Sequence, residues 1–125
     1  MSVLALCLFP LSAAAGAAGR YVLDQMIQGG HERVFPWGTW VVNVSGAFAL
    51  GLLVATEDAY RLSPDLVTVA GAGFLGAYTT FSTFTWETMR QIEDGALGAA
   101  ALNVGTTLTA GLAAATVGYA LGSLI

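Results

Sequence analysis

The residues best suited to chemistry gather in one stretch, GAGFLGAYTTFSTFTWE at 71–87. It is apolar and of spanning length, yet its second half carries Tyr78, Thr79, Thr80, Ser82, Thr83 and Thr85. Polar groups at membrane depth are expensive, and they either serve function or hydrogen-bond another helix. Thr79, Thr83 and Glu87 are spaced by four, which predicts one polar stripe ending in a carboxylate. Phe81 and Phe84 are three apart and share another face. Gly71, Gly73 and Gly76 lower helix propensity just before Tyr78. An unwound turn at 76–80, with free main-chain carbonyls, is the expected result. Non-helical backbone at such depth survives only where it is buried in protein or lines a polar cavity.

Other polar residues lie where they could meet this stretch. Thr39, Asn43 and Gly46 are spaced four and three, so they fall on one helix face. An Asn inside a span needs a partner, either another helix or a ligand. Arg20 follows the small-residue run 14–19 and has two readings. It either snorkels from the helix end to the interface or stands as a cation at the mouth of an anion path. Thr106, Thr109 and Thr116 share a face of the last apolar segment, with Asn103 and Thr107 beside them. A lone Thr can simply bond back to its own helix, so the row means more than any single member. His31 sits in a polar turn and reads as a solvated loop residue. Cys7 lies inside an apolar run and reads as a small buried hydrophobe.

The elements that must position these groups follow from composition. Of 125 residues, 56% are hydrophobic and only 10% are charged, against about 25% charged in a soluble domain. The charges cluster at 20–24, 32–33, 57–65 and 87–94, leaving four charge-free runs, each near or above the ~18–20 residues of a membrane-spanning helix. The expectation is an all-α membrane protein of one domain, 1–125, with spans at about 3–27, 38–56, 65–90 and 96–121. Pro10 should bend the first span. No Lys or Arg precedes the first apolar run, so it lacks the basic flank of a signal peptide and reads as a retained helix. Phe35, Trp37 and Trp40 flank Pro36 as an interfacial aromatic belt. The net charge of −4 is spread over short loops, and no basic run suggests nucleic acid. No nucleophile–base pair stands in a recognisable arrangement, which leaves no enzyme reading and no catalytic residue. Arg33 and Arg90 lie on one side of the membrane and Arg61 on the other, a weak positive-inside bias that permits insertion in both orientations. So short a chain encloses little volume, so a pore should need a second copy.

The string GAYTTFSTF at 76–84, the pattern Gly38-Thr39 with Asn43 and Gly46, and the run GAAG at 16–19 leading to Arg20 resemble the Fluc/CrcB family of fluoride channels along essentially the whole chain. The resemblance implies a passive, fluoride-selective channel that exports fluoride across the bacterial cytoplasmic (inner) membrane. It implies an antiparallel, dual-topology homodimer with two pathways and a third helix broken near its middle. It implies that Phe81 and Phe84, with Ser82 and Thr83, line each path, that Asn43 donates to the ion, and that Arg20 lies near an aqueous vestibule. It further implies a structural, untransported sodium ion held by the carbonyls of Gly76 and Thr79. The fourth helix matches less well, because Leu112 and Ala113 interrupt its hydroxyl row.

The physics agrees with that implication. Fluoride is tightly hydrated, and Asn, Ser and Thr offer donors in place of water without a buried charge to trap it. Phe edges are positive and can face an anion. A hard cation prefers oxygen ligands, which unwound carbonyls supply. Two other classes compete. A small multidrug-type, proton-coupled exporter has this size, but it depends on a membrane-embedded Glu in the first helix, and none is present. A non-transporting assembly subunit would have little use for a line of buried hydroxyls.

Overall fold

The computed structural model describes residues 1–30 and 34–125, excepting the side chain of Asp58. His31, Glu32 and Arg33 lie outside the described residues, and with them the loop reading of His31. All the secondary structure of the described residues is helical. Helix α1 (Val3–Gln28) starts at Ser2, whose side chain accepts from the Ala5 N–H at 3.2 Å. It runs through Pro10 without interruption and stops at Gly29, which adopts the left-handed conformation that favours glycine at helix C-termini. Helix α2 (Trp37–Tyr60) enters through Pro36 and leaves at Arg61, itself left-handed at φ 49°.

The third apolar run divides into pieces. Ser63 caps α3 (Pro64–Val67) by accepting from the Leu66 N–H. Thr68–Leu75 continues in wider π-type turns, and α4 (Gly76–Tyr78) is a single short turn. Thr79 and Thr80 are extended, with ψ of 161° and 120°. Helix α5 (Phe81–Glu93) follows, and α6 (Leu97–Gly122) completes the chain. Three helical stretches, Val3–Gln28, Trp37–Glu57 and Leu97–Gly122, are long and apolar enough to cross a membrane. The third run is not one of them, because the extended pair divides it into helices too short to span alone.

Contacts set the arrangement. A Cβ at Gly51 would overlap the Ala115 carbonyl, one at Gly118 the Phe48 carbonyl, and one at Gly122 would crowd Ala55. From Trp40 with Thr106, through Gly51 with Ala115, to Ala55 with Gly122 the paired numbers rise together, so α2 and α6 run parallel with their backbones in contact, as small residues allow between membrane helices. The first and third stretches form a second parallel pair. Ser12 Oγ donates to the Val69 carbonyl at 2.7 Å, and the Phe74 carbonyl sits where a Cβ on Gly16 would be. Helix α2 then faces the third stretch in the opposite sense.

Few apolar side chains are buried: Ala5, Val42, Ala55, Phe84 and Ala100. Leu4, Leu11, Leu108, Leu112 and many others point outward, the distribution expected when the surrounding medium is itself apolar. Cys7 is one of these outward residues. The sequence reading of a buried hydrophobe is corrected here, because α1 packs on one side only and leaves Cys7 on the other.

Candidate functional site

The site forms where the polar face of α2 meets the extended pair. Asn43 Nδ2 donates to the Thr80 carbonyl at 2.9 Å, and the Thr80 N–H donates to Asn43 Oδ1 at 2.8 Å. One side-chain amide thus satisfies both main-chain groups of a residue that has left the helix, the accounting that buried backbone demands. Thr80 is also the N-cap of α5. Its Oγ1 accepts from the Thr83 N–H at 3.1 Å and donates to Thr83 Oγ1 at 3.0 Å, the usual service of Thr at a helix start.

These bonds have a consequence for two carbonyls. In an uninterrupted α-helix the Thr80 N–H would bond the Gly76 carbonyl, and the Thr83 N–H would bond that of Thr79. Asn43 takes the first donor and Thr80 Oγ1 takes the second. Gly76 O and Thr79 O have therefore both lost their helical donors. Gly76 itself keeps a helical conformation, φ −62° and ψ −34°, so the departure from the helix lies at Thr79 and Thr80 and not across all of 76–80.

The remaining members of the α2 face also engage the third stretch. Gly46 gives room to the Thr79 methyl group, which occupies the place of a Cβ. Ser45 Oγ and Tyr78 Oη are hydrogen-bonded at 2.8 Å. Thr39 is buried and donates to Glu87 Oε1 at 3.0 Å. The expected stripe of Thr79, Thr83 and Glu87 is not one continuous row. Thr79 stays with α4, its hydroxyl donating to the Leu75 carbonyl at 2.9 Å, while Thr83 and Glu87 belong to α5. The extended pair re-aims the chain between them.

Two hollows flank this face. A recess of about 210 Å³ is lined by Arg20, Tyr21, Asp24, Thr39, Val42, Thr80 and Thr83. It unites Arg20 and Thr83 among the expected path residues and abuts the Asn43–Thr80 pair. A wider cleft of about 720 Å³ opens towards the end of α5, lined by Gln25, Gln28, Trp86, Glu87, Arg90 and Gln91 among others. Gln91 donates from Nε2 to the Val34 carbonyl at 2.7 Å, but Gln91 Oε1 and Glu87 Oε2 are buried without a partner among the described residues. Phe81 and Phe84 lie 6.1 Å apart, centroid to centroid, with opposite exposures: Phe84 is 9% exposed and Phe81 is 78% exposed. Ser82 is exposed beside Phe81.

Some roles were not apparent from residue types. Thr80 is the hub of the site, and the signal for it is a Thr immediately before the amphipathic run 81–93, an N-cap pattern. Trp40 is more than a belt residue, since its Nε1 donates to Thr106 Oγ1 at 3.1 Å. Asn103, 1% exposed, donates to Thr88 Oγ1 at 2.9 Å and ties α6 to α5. Thr106, Thr109 and Thr116 each donate back to the carbonyl four residues earlier.

Comparison with known proteins shows the family. Residues 7–119 match the family model described as "CrcB-like protein, Camphor Resistance (CrcB)". A "Fluoride-specific ion channel FluC 1" of Streptomyces avermitilis is 48% identical over 106 residues, covering 85% of this chain and 86% of that one. A protein of the same name from Frankia casuarinae is 44% identical over 114 residues, covering 87% and 88%. The "Fluoride-specific ion channel FluC" of Acidobacterium capsulatum is 41% identical over 119 residues, covering 92% and 93%. With its long apolar helices, the molecule is a multi-pass bacterial membrane protein and not an enzyme. A match over nearly the whole length and relatives of this closeness place the chain in the CrcB-like family.

Proposed function

We propose that the protein is a fluoride-selective passive channel of the bacterial cytoplasmic membrane, through which fluoride leaves the cell. The observation that carries this reading is the near full-length similarity to proteins named fluoride-specific ion channels. The polar face of α2 against Thr79 and Thr80 supports it. In this reading an ion enters by the Arg20 recess and exchanges water for neutral donors: the second N–H of the Asn43 amide and the hydroxyls of Ser82 and Thr83. Neutral donors let an anion bind and leave, where a deeply buried cation would hold it. Phe84 and Phe81 present positive ring edges along the same path.

The working unit in this reading is an antiparallel homodimer in the lipid bilayer. The exposure of Phe81 and Ser82 beside the site supports it, since a second copy would complete the wall that one chain leaves open. A structural sodium ion at the centre would take the carbonyls of Gly76 and Thr79. Those carbonyls fit a hard cation, because both have lost their helical donors. Among the described residues no group of three or more His, Cys, Asp or Glu side chains gathers to hold a metal, so main-chain oxygen is the donor available there. Sodium would supply charge that pins the extended segment and would not itself move.

The test is ion efflux from liposomes containing the purified protein. Rapid loss of fluoride with almost no loss of chloride is expected. Equal rates for the two ions would end the proposal.

A further inference from the structure

Asp24 has no role in the path described above, yet among the described residues it is one of two charged side chains lining the Arg20 recess, the mouth of the path in that reading. It stands four residues after Arg20 on α1, one turn on and on the same face. Its position is set by α2. A Cβ at Gly38 would overlap the Asp24 carboxylate oxygen and approach its Cα to 3.2 Å, so the carboxylate lies directly against the bare glycine at the start of α2. The other walls of the recess, Thr39 and Val42 of α2 and Thr80 and Thr83 of the third stretch, carry no charge. Glu87 stands behind Thr39 and is bonded to it. The recess therefore holds a guanidinium and a fixed carboxylate over a floor of hydroxyls.

A guanidinium beside hydroxyl donors is by itself a general anion trap, and a trap at the mouth would slow conduction and admit competitors. Conduction needs binding weak enough to release the ion. We propose that Asp24 is a specificity-determining residue of the mouth: its carboxylate, seated over Gly38, offsets the Arg20 charge so that anions pass the recess without being held. The inference rests on the channel reading above. Gly38 is then required for room, since any side chain there would push the carboxylate out of the recess.

The test is fluoride efflux from proteoliposomes against graded external chloride. Asp24→Asn keeps the shape and removes the charge, and chloride should slow it at a concentration about tenfold lower than for the parent protein, as expected for one unit charge a helical turn away in a partly hydrated site. Gly38→Ala should shift the same way by a smaller factor while Asp24 is still present. In an Arg20→Gln background, Asp24→Asn should produce no shift. Should the Asn variant fail to fold, Asp24→Ser is read in the same assay with the same expected direction. Superimposed chloride curves for Asp24→Asn and the parent overturn the inference, as does an equal shift in the Arg20→Gln background. A parent protein that releases no fluoride overturns the channel reading first, and the inference with it.

Discussion

Helix α2 has two faces built on different rules. Towards α6 it is mostly dry and backbone-close: Gly51, Gly118 and Gly122 let main chains touch where a Cβ would not fit, and one polar bond, Trp40 to Thr106, joins the two helices near the start of α2. Towards the third stretch it is polar, and Thr39, Asn43 and Gly46 each meet a specific partner there: Glu87, Thr80 and Thr79. The dry face aligns two uninterrupted helices and, apart from the Trp40–Thr106 bond, asks little of side-chain chemistry. The polar face accepts a departure from helix at Thr79 and Thr80 and satisfies the exposed backbone with one amide and one cap. The scaffold side is thus specified mainly by absence of side chains, and the functional side by their identity.

Substitutions can separate the two faces. Asn43→Leu is expected to cost most. It strands the N–H and the carbonyl of Thr80, at about 1–3 kcal/mol for each unsatisfied group, and a fall in thermal unfolding temperature in detergent should accompany loss of fluoride flux. Gly118→Ala follows, with about 1–3 kcal/mol from forced overlap with the Phe48 carbonyl. Here the folded fraction should drop while flux per folded protein stays at the parent value, the opposite pattern to a path residue. Thr39→Val removes the hydrogen bond from Thr39 to Glu87, at roughly 1 kcal/mol, and should change flux more than it changes folding. Thr56→Ala, away from the polar face, removes a hydroxyl that bonds back to the Leu52 and Leu53 carbonyls of its own helix. Its effect on unfolding should stay within about 0.5 kcal/mol. If Gly118→Ala altered ion selectivity, or if Asn43→Leu were neutral, the division between the faces would not hold.

Much of this was legible before the structure. The helical stretches follow from charge-free runs bounded by loops, because lipid excludes charge. The shared face of Thr39, Asn43 and Gly46 follows from spacing alone. The capping half of the Thr80 role had a signal, a Thr before an amphipathic run, but its pairing with Asn43 did not, since residue types do not reveal which N–H will lack a helical acceptor. For the same reason the stripe of Thr79, Thr83 and Glu87 read as continuous: helical spacing applies only while the helix does. Phe81 and Phe84 looked equivalent in sequence, and only packing separates the buried ring from the exposed one. Cys7 was misread because lipid-facing and protein-facing positions share one apolar alphabet.

The central claim is that fluoride passes along the polar face, past the Phe84 ring. The most direct measurement is fluoride-electrode efflux from liposomes carrying Phe84→Ile, run beside the parent protein and normalised to folded protein. The account predicts fast release for the parent and a rate near the protein-free leak for the variant. Parent-like release by the variant would contradict it.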